Sequence, residues 1–434
     1  MMNEVNEERA SMEQDAIAQI KHYRQQAASL LLYQSVLADT IGHTWLALMD
    51  ALYQGSEVEV AIAYGRWFSA LADTQQSWQS YLIEQILISD NAFSQQAQRT
   101  ASIDQLPAAL IAGAQHDLSI LQTLYALSPA QISQWAQTLT DSSHPPATDS
   151  ALNDSNLAFV SQPDWKTAPA ELAHYYNTRG VGLFGQFNAF RWQNAQLTGI
   201  PSPDPIRLAQ LAAYEHPRQQ LIQNTESLIR GYSAQNVLLY GSRGAGKSSL
   251  VKALLNEYSD QGLRLIEVPK ANLHNLPQIV ENLSHVPQKF IIFVDDLSFE
   301  EDDEAFKALK VVLEGGVTAR PQNVVVYATS NRRHLVREFF DDRPKPKDAD
   351  EIQSWDTVQE KLSFSDRFGL TLTFTPADQP TYLKIVRQLV AQAGLKIENE
   401  HLEWRARQWA TRHNGRSGRT ARQFVDFLIA EQGD

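Results

Sequence analysis

Gly241-Ser242-Arg243-Gly244-Ala245-Gly246-Lys247-Ser248, running on into Ser249, decides how this chain is read. The apolar run 236–240 precedes it, and Leu250, Val251, Leu254, Leu255 and Tyr258 follow at helical spacing. Strand, then G-x-x-x-x-G-K-S, then helix is the order of a phosphate-binding P-loop. Glycine is needed where the backbone must wrap closely around an anion, because a Cβ would intrude or forbid the required φ. Loop N–H groups and the N-terminus of the next helix supply positive potential at that point. Lys247 is expected to reach the β- and γ-phosphates of a nucleotide, and the Ser248 hydroxyl to ligate Mg2+.

Two further elements complete a phosphate site. The run 290–294 (Phe-Ile-Ile-Phe-Val) reads as a buried strand and ends in Asp295 and Asp296. Asp295 is placed to hold Mg2+, directly or through water. Asp296 is placed to orient or deprotonate an attacking water. The run 324–328 then delivers Thr329, Ser330 and Asn331 to the same carboxyl edge, where ligands of such sheets bind. Asn331 is expected to hydrogen-bond the γ-phosphate or the water; an Asn there also makes a good helix cap.

Around these motifs the second half alternates strand and helix, which implies an α/β fold with a mainly parallel sheet covered by helices. The strand candidates are 236–240, 263–268, 290–294, 323–328 and 370–374, giving five strands. Gly315-Gly316 stops a helix over 302–313. After Pro376 the pattern is helical to the end, as a small appended lid. Residues 13–140 read as helices from the spacing of Leu30, Leu31, Val36, Leu37, Trp45, Leu46, Leu48 and Met49 and of Ile62, Trp67, Phe68 and Leu71. The stretch 141–150 is a linker by composition, and 157–205 is rich in aromatics without a clear period. The expected division is an α-helical domain over 1–140, a linker or adaptor over 141–200, an α/β nucleotide-binding domain over 201–376 and a helical lid over 377–434.

Composition narrows the function. The 434 residues carry a net charge of −13, which argues against broad nonspecific adhesion to nucleic acid. Residues 1–200 hold 19 acidic and 8 basic side chains and residues 201–434 hold 31 and 29, so the acidity lies in the N-terminal half. The absence of cysteine excludes disulfides, thiolate catalysis and cysteine-bound zinc. The acidic first residues lack the apolar core of a signal peptide, and apolar runs are too short to span a bilayer, so no membrane role and a cytoplasmic location are expected.

Taken together, the motifs over 204–434 resemble the AAA+ ATPases. The resemblance assigns Gly241 to Ser248 as the P-loop, Asp295-Asp296 as the Walker B pair and Asn331 as sensor 1. Ser365-Asp366-Arg367-Phe368-Gly369 looks like the arginine-finger segment, so Arg367 would reach a neighbouring subunit's ATP. Gly415 to Arg422 resembles the sensor 2 position; Arg419 is the choice, with Arg416 and Arg422 as alternatives. Six arginines and no acid lie between Trp404 and Arg422, which also suits a solvated basic face. Asp204 to Leu208 and Leu211 to Glu215, including Tyr214, resemble the adenine-pocket segment. The strings 294–299 and 327–335 look like one bacterial AAA+ family known only as a domain of unknown function. One departure stands out. The family usually has Asp-Glu at Walker B, and Asp296 sets its carboxylate back by one methylene. Glu300 or Glu301 would then assist, or turnover would be slow. The charged, proline-rich insert 341–351 reads as a surface loop.

The resemblance implies an oligomeric ATPase using ATP and Mg2+ to remodel a protein or protein complex. The client would dock on the N-terminal helices, and Trp45, Trp67, Trp78 and Trp135 there read as core. The alternatives are a nucleic-acid factor of the helicase-loader or initiator kind, disfavoured by the weak positive charge, and a slow or non-hydrolysing ATP switch. No Asn-Lys-x-Asp guanine-reading motif follows the P-loop, so a GTPase is disfavoured.

Overall fold

Long apolar runs in the second half become the buried strands of one sheet. The computed structural model describes residues 2–100, 102–140, 143–147, 157–298, 304–314, 321–331, 364–413 and 415–432. The chain separates into two compact units, Met1–Gln186 and Phe187–Asp434. No described helix is long and apolar enough to cross a membrane.

The first unit is helical, from Met2–Ala28 to Gly182–Gln186. Its core is aromatic: Trp45, Trp67 and Trp78 are fully buried, Trp45 and Trp78 stack at 4.9 Å, and Trp67 meets Trp78 edge-on. Each such ring removes on the order of 200 Å2 from water, so these side chains carry much of the unit's stability. The chain at 143–147 lies against this unit: Tyr64 donates to the Pro145 carbonyl at 2.6 Å, and Ala147 is buried. The remainder of the expected linker lies outside the described residues. Phe159, Trp165 and Tyr176 join the same core.

The second unit holds a seven-stranded sheet: β1 Ala189–Gln193, β2 Gln196–Gly199, β3 Val237–Gly241, β4 Leu263–Glu267, β5 Lys289–Val294, β6 Val324–Ser330 and β7 Leu370–Phe374. Their order is β2-β1-β4-β5-β6-β3-β7. Among the described residues only the β1–β2 hairpin is antiparallel. Every residue of β6 and all but the first of β5 are buried, as expected for strands covered on both faces. The five strands read from sequence are present, within a residue or two at their ends. The hairpin β1–β2 is an addition to the expected five-stranded sheet, and it comes from the aromatic stretch that had no clear period.

Register fixes what meets at the carboxyl edge. Tyr240 pairs with Ser330, and Val294 pairs with Ala328. One step further along each strand, Gly241 stands beside Asn331 and Asp295 beside Thr329. Beyond β7, the helices Gln379–Gln392, Asn399–Arg412 and Gly418–Gln432 form their own core around Tyr382, Val386, Leu402, Ala406, Phe424 and Leu428. Ala213, from the segment before the sheet, is part of that core. The chain after β7 is thus helical through the described residues, as expected for the segment beyond Pro376.

Candidate functional site

The P-loop folds as its glycines require. Gly241 has φ 138°, and a Cβ there would lie 2.0 Å from the Phe374 carbonyl oxygen of β7. Gly244 and Gly246 have φ 73° and 86°, in the left-handed region. The helix Lys247–Tyr258 starts directly after Gly246, so its first N–H groups open onto the loop.

Lys247 is only 7% exposed. Its ammonium donates to the Gly241 and Ser242 carbonyls at 2.9 Å each and to Asn331 Oδ1 at 3.3 Å. Burial lowers its pKa, and the negative charges of Asp295 and Asp296 pull the other way. Ser248 Oγ donates to Asp295 Oδ1 at 2.7 Å. The Asn331 amide donates to Asp296 Oδ1 at 2.7 Å. P-loop, acid pair and Asn331 therefore form one hydrogen-bonded set, delivered by the ends of β3, β5 and β6.

This set floors a cleft of about 1,090 Å3. Arg243, Ser249, Tyr214, Arg419 and Arg422 also line it, and Ile206, Ile385 and Leu389 give it an apolar wall. A polar, cation-rich floor beside an apolar wall suits a ligand with a charged tail and a flat, uncharged head. Tyr214 sits in the left-handed region at φ 57°, donates to the Thr375 carbonyl at 2.7 Å and packs its ring on Phe374. Burial first, and Asp378 second, raise its pKa and keep it a neutral donor. The lid touches the P-loop itself: Arg419 N–H donates to the Gly244 carbonyl at 3.3 Å.

Two arginines lie elsewhere. Arg416 donates to Gln379 Oε1 at 3.3 Å and does not line the cleft. Arg367 is likewise absent from the cleft wall and pairs with Glu314 at the end of the helix Glu304–Glu314. Glu300, Glu301, the insert 341–351 and residues 332–335 lie outside the described residues. Sequence reading gave no role to Thr329, which is buried and bonds to both acids. Nor did it find the apolar wall or the approach of Gly418 to Gly244.

The donors fit Mg2+. Ser248 and Asp295 offer hard oxygens side by side, and Asp295 Oδ2 has no hydrogen-bond partner among the described residues. No group of three or more acidic or histidine side chains able to hold a metal occurs among the described residues. Mg2+ is characteristically held by one or two protein oxygens together with substrate phosphates rather than by an all-protein cage.

The chain belongs to the family described as "Protein of unknown function (DUF815)", whose profile matches residues 185–432. Among curated proteins, the replication factor C large subunit of Staphylothermus marinus is 40% identical over 65 residues. That match spans 15% of this chain and 15% of the relative, far short of its full length. Among solved structures, the Thermotoga maritima RuvB Holliday junction branch migration motor aligns at 14% identity over 52% of this chain and 72% of its own, with a TM-score of 0.32. A point mutant of the same motor aligns over the same shares at 13% identity and a TM-score of 0.33.

Proposed function

We propose that this member of the DUF815 family is an ATPase that hydrolyses ATP with Mg2+ and, as a homo-oligomer, remodels a protein or protein complex. The observation that carries the proposal is the single cleft shared by the P-loop, the acid pair, Asn331 and Arg419. Residues 201–376 serve as the nucleotide-binding domain and 377–434 as its lid. Residues 1–140 serve as the client-recognition domain, joined through 141–200.

In this reading the triphosphate lies along Gly241 to Ser249, with Lys247 turning its donors from the loop carbonyls to phosphate oxygens. Ser248 and Asp295 would hold Mg2+, which would supply neutralisation of the phosphate charge. Asp296 accepts the proton as water oxygen bonds to the γ-phosphorus. The bond from that phosphorus to the bridging oxygen breaks, and ADP and phosphate leave. Asn331, Arg419 and a neighbour's Arg367 oppose the developing negative charge. The base lining of Tyr214 and the apolar wall receive the adenine.

A second reading, an ATP-gated switch with little turnover, is favoured by one contact. Asp296 Oδ1 accepts from the Asn331 amide, so one oxygen of the candidate base is already engaged. Steady-state hydrolysis measured against protein concentration, with light scattering on the same samples and Asp296→Asn as control, separates the two. Activity rising steeply with ATP-dependent assembly supports the oligomeric ATPase. Tight ATP binding by a monomer without turnover supports the switch and sinks the remodelling reading.

A further inference from the structure

Thr329 stands near the end of β6, one register step beyond the Val294–Ala328 pair, and is 2% exposed. Its hydroxyl carries one hydrogen. That hydrogen goes to Asp295 Oδ1, and the oxygen accepts the Asp296 N–H at 2.9 Å. The donor and acceptor roles are therefore fixed, because a backbone N–H can only donate and the Asp295 carboxylate can only accept.

The same stretch is held at two more points. Leu297 N–H donates to the Thr329 carbonyl at 2.7 Å, and Ser330 Oγ donates to the Leu297 carbonyl at 2.8 Å. Asp296 sits within this clamp at φ 51°, left-handed for a residue with a Cβ. Such a conformation persists only where its surroundings over-determine it. With Ser248, Thr329 and the Asp296 N–H all on Asp295 Oδ1, Oδ2 is left without a partner among the described residues. Asp296 Oδ1 takes the Asn331 amide, and its Oδ2 is likewise left.

We propose that Thr329 is a positioning residue that, through one hydroxyl, sets the orientation of both acids: the carboxylate facing Mg2+ and the carboxylate facing the attacking water. The proposal rests on the ATPase reading above. A valine has the same shape and lacks the hydroxyl, while a serine keeps it.

The test uses the full chain and four readouts: melting temperature, kcat and KM for ATP, and affinity for a fluorescent ATP analogue with Mg2+ and with EDTA. Loss of a group that orients a metal ligand costs about 10- to 100-fold in metal affinity or activity. Thr329→Val is expected to lower kcat about tenfold or more with little change in KM. Its affinity for the analogue in EDTA stays at the wild-type value, and the tightening brought by Mg2+ is lost. Thr329→Ser recovers most of both. A folded Thr329→Val protein with wild-type Mg2+ dependence and kcat overturns the proposal, and so does a Thr329→Ser protein as impaired as the valine variant. Should the valine variant not fold, Thr329→Cys, a weak donor of similar size, carries the same comparison. A wild-type chain that does not bind the analogue at all would instead remove the ATPase reading, and the proposal with it.

Discussion

Gly418→Ala separates the lid's effect on chemistry from its effect on stability. A Cβ at Gly418 would lie 2.8 Å from the Gly244 carbonyl oxygen. Gly418 does not occupy the left-handed region, so alanine is conformationally acceptable. Ordinary carbon–oxygen contact begins at about 3.4 Å, so the last helix and the P-loop tip must part by about 0.6 Å. Parting weakens the Arg419 N–H bond to Gly244, already long at 3.3 Å. That loss is worth about 0.5–1 kcal/mol, and alanine returns about 0.4–1 kcal/mol by restricting the unfolded chain. The two offset, and the melting temperature should move by no more than a few degrees. The chemistry has no such offset. Displacing a catalytic constellation by ~1 Å costs ~100-fold, so ~0.6 Å carried by Arg419 and Arg422 predicts a fall in kcat of roughly tenfold. A coupled ATPase assay with a parallel thermal melt reads both quantities. Gly65→Ala is the control, because Gly65 lies mid-helix with nothing near its Cβ. Wild-type kcat in a folded Gly418→Ala protein would refute the argument that this contact positions the arginines.

Other expectations concern the same cleft. Lys247→Ala should abolish ATP binding, measured by calorimetry, since it removes the buried cation at the centre of the loop. Arg367→Ala should leave ATP affinity intact and lower kcat by about a thousandfold or more; mixing it with Lys247→Ala subunits should restore turnover, because each supplies what the other lacks. Unchanged hydrolysis by Arg367→Ala alone would rule out the finger. The pH profile follows from Lys247. Burial lowers its pKa below 10.5, so ATP affinity should fall as pH rises toward 10.5, earlier than for a solvent-exposed lysine. For folding the sign is opposite: between the folded pKa and 10.5 the unfolded chain binds more protons, so this group's contribution to stability rises with pH.

How much was legible depended on how local the signal was. The P-loop, the acid pair and the five parallel strands declare themselves through contiguous residues: a strand buried on both faces is a near-unbroken apolar run, as in Phe290–Val294. The hairpin β1–β2 did not. Its turn places Asn194 and Ala195 both in the left-handed region, where Asn-Gly is the usual signal, and an alanine gives no hint of positive φ. Gly199 at its end makes room for the Phe187 ring, which would lie 2.1 Å from a Cβ, and a glycine in a strand reads as a weakness rather than as a packing site. Ala213 and Tyr214 are the same case: two successive left-handed residues without glycine, held because Ala213 is buried in the lid core and Tyr214 bonds to Thr375.

The acid pair joins what sequence could give to what it could not. Asp296 in place of the usual glutamate looked like a change in chemistry. The backbone offers a different cause. At φ 51° the residue needs a side chain that tolerates the left-handed region, and aspartate and asparagine do so more readily than longer residues. That conformation is imposed from the neighbouring strand, by Thr329 through its hydroxyl and its carbonyl. A one-dimensional reading sees Thr329 as 33 residues away from Asp296 and takes it for a strand residue; register alone makes them neighbours. The shorter acid is then matched to the turn, and the reach lost with the missing methylene is governed by the direction in which the turn aims the carboxylate. Whether Asp296 works as a base is therefore decided at β6 as much as at β5.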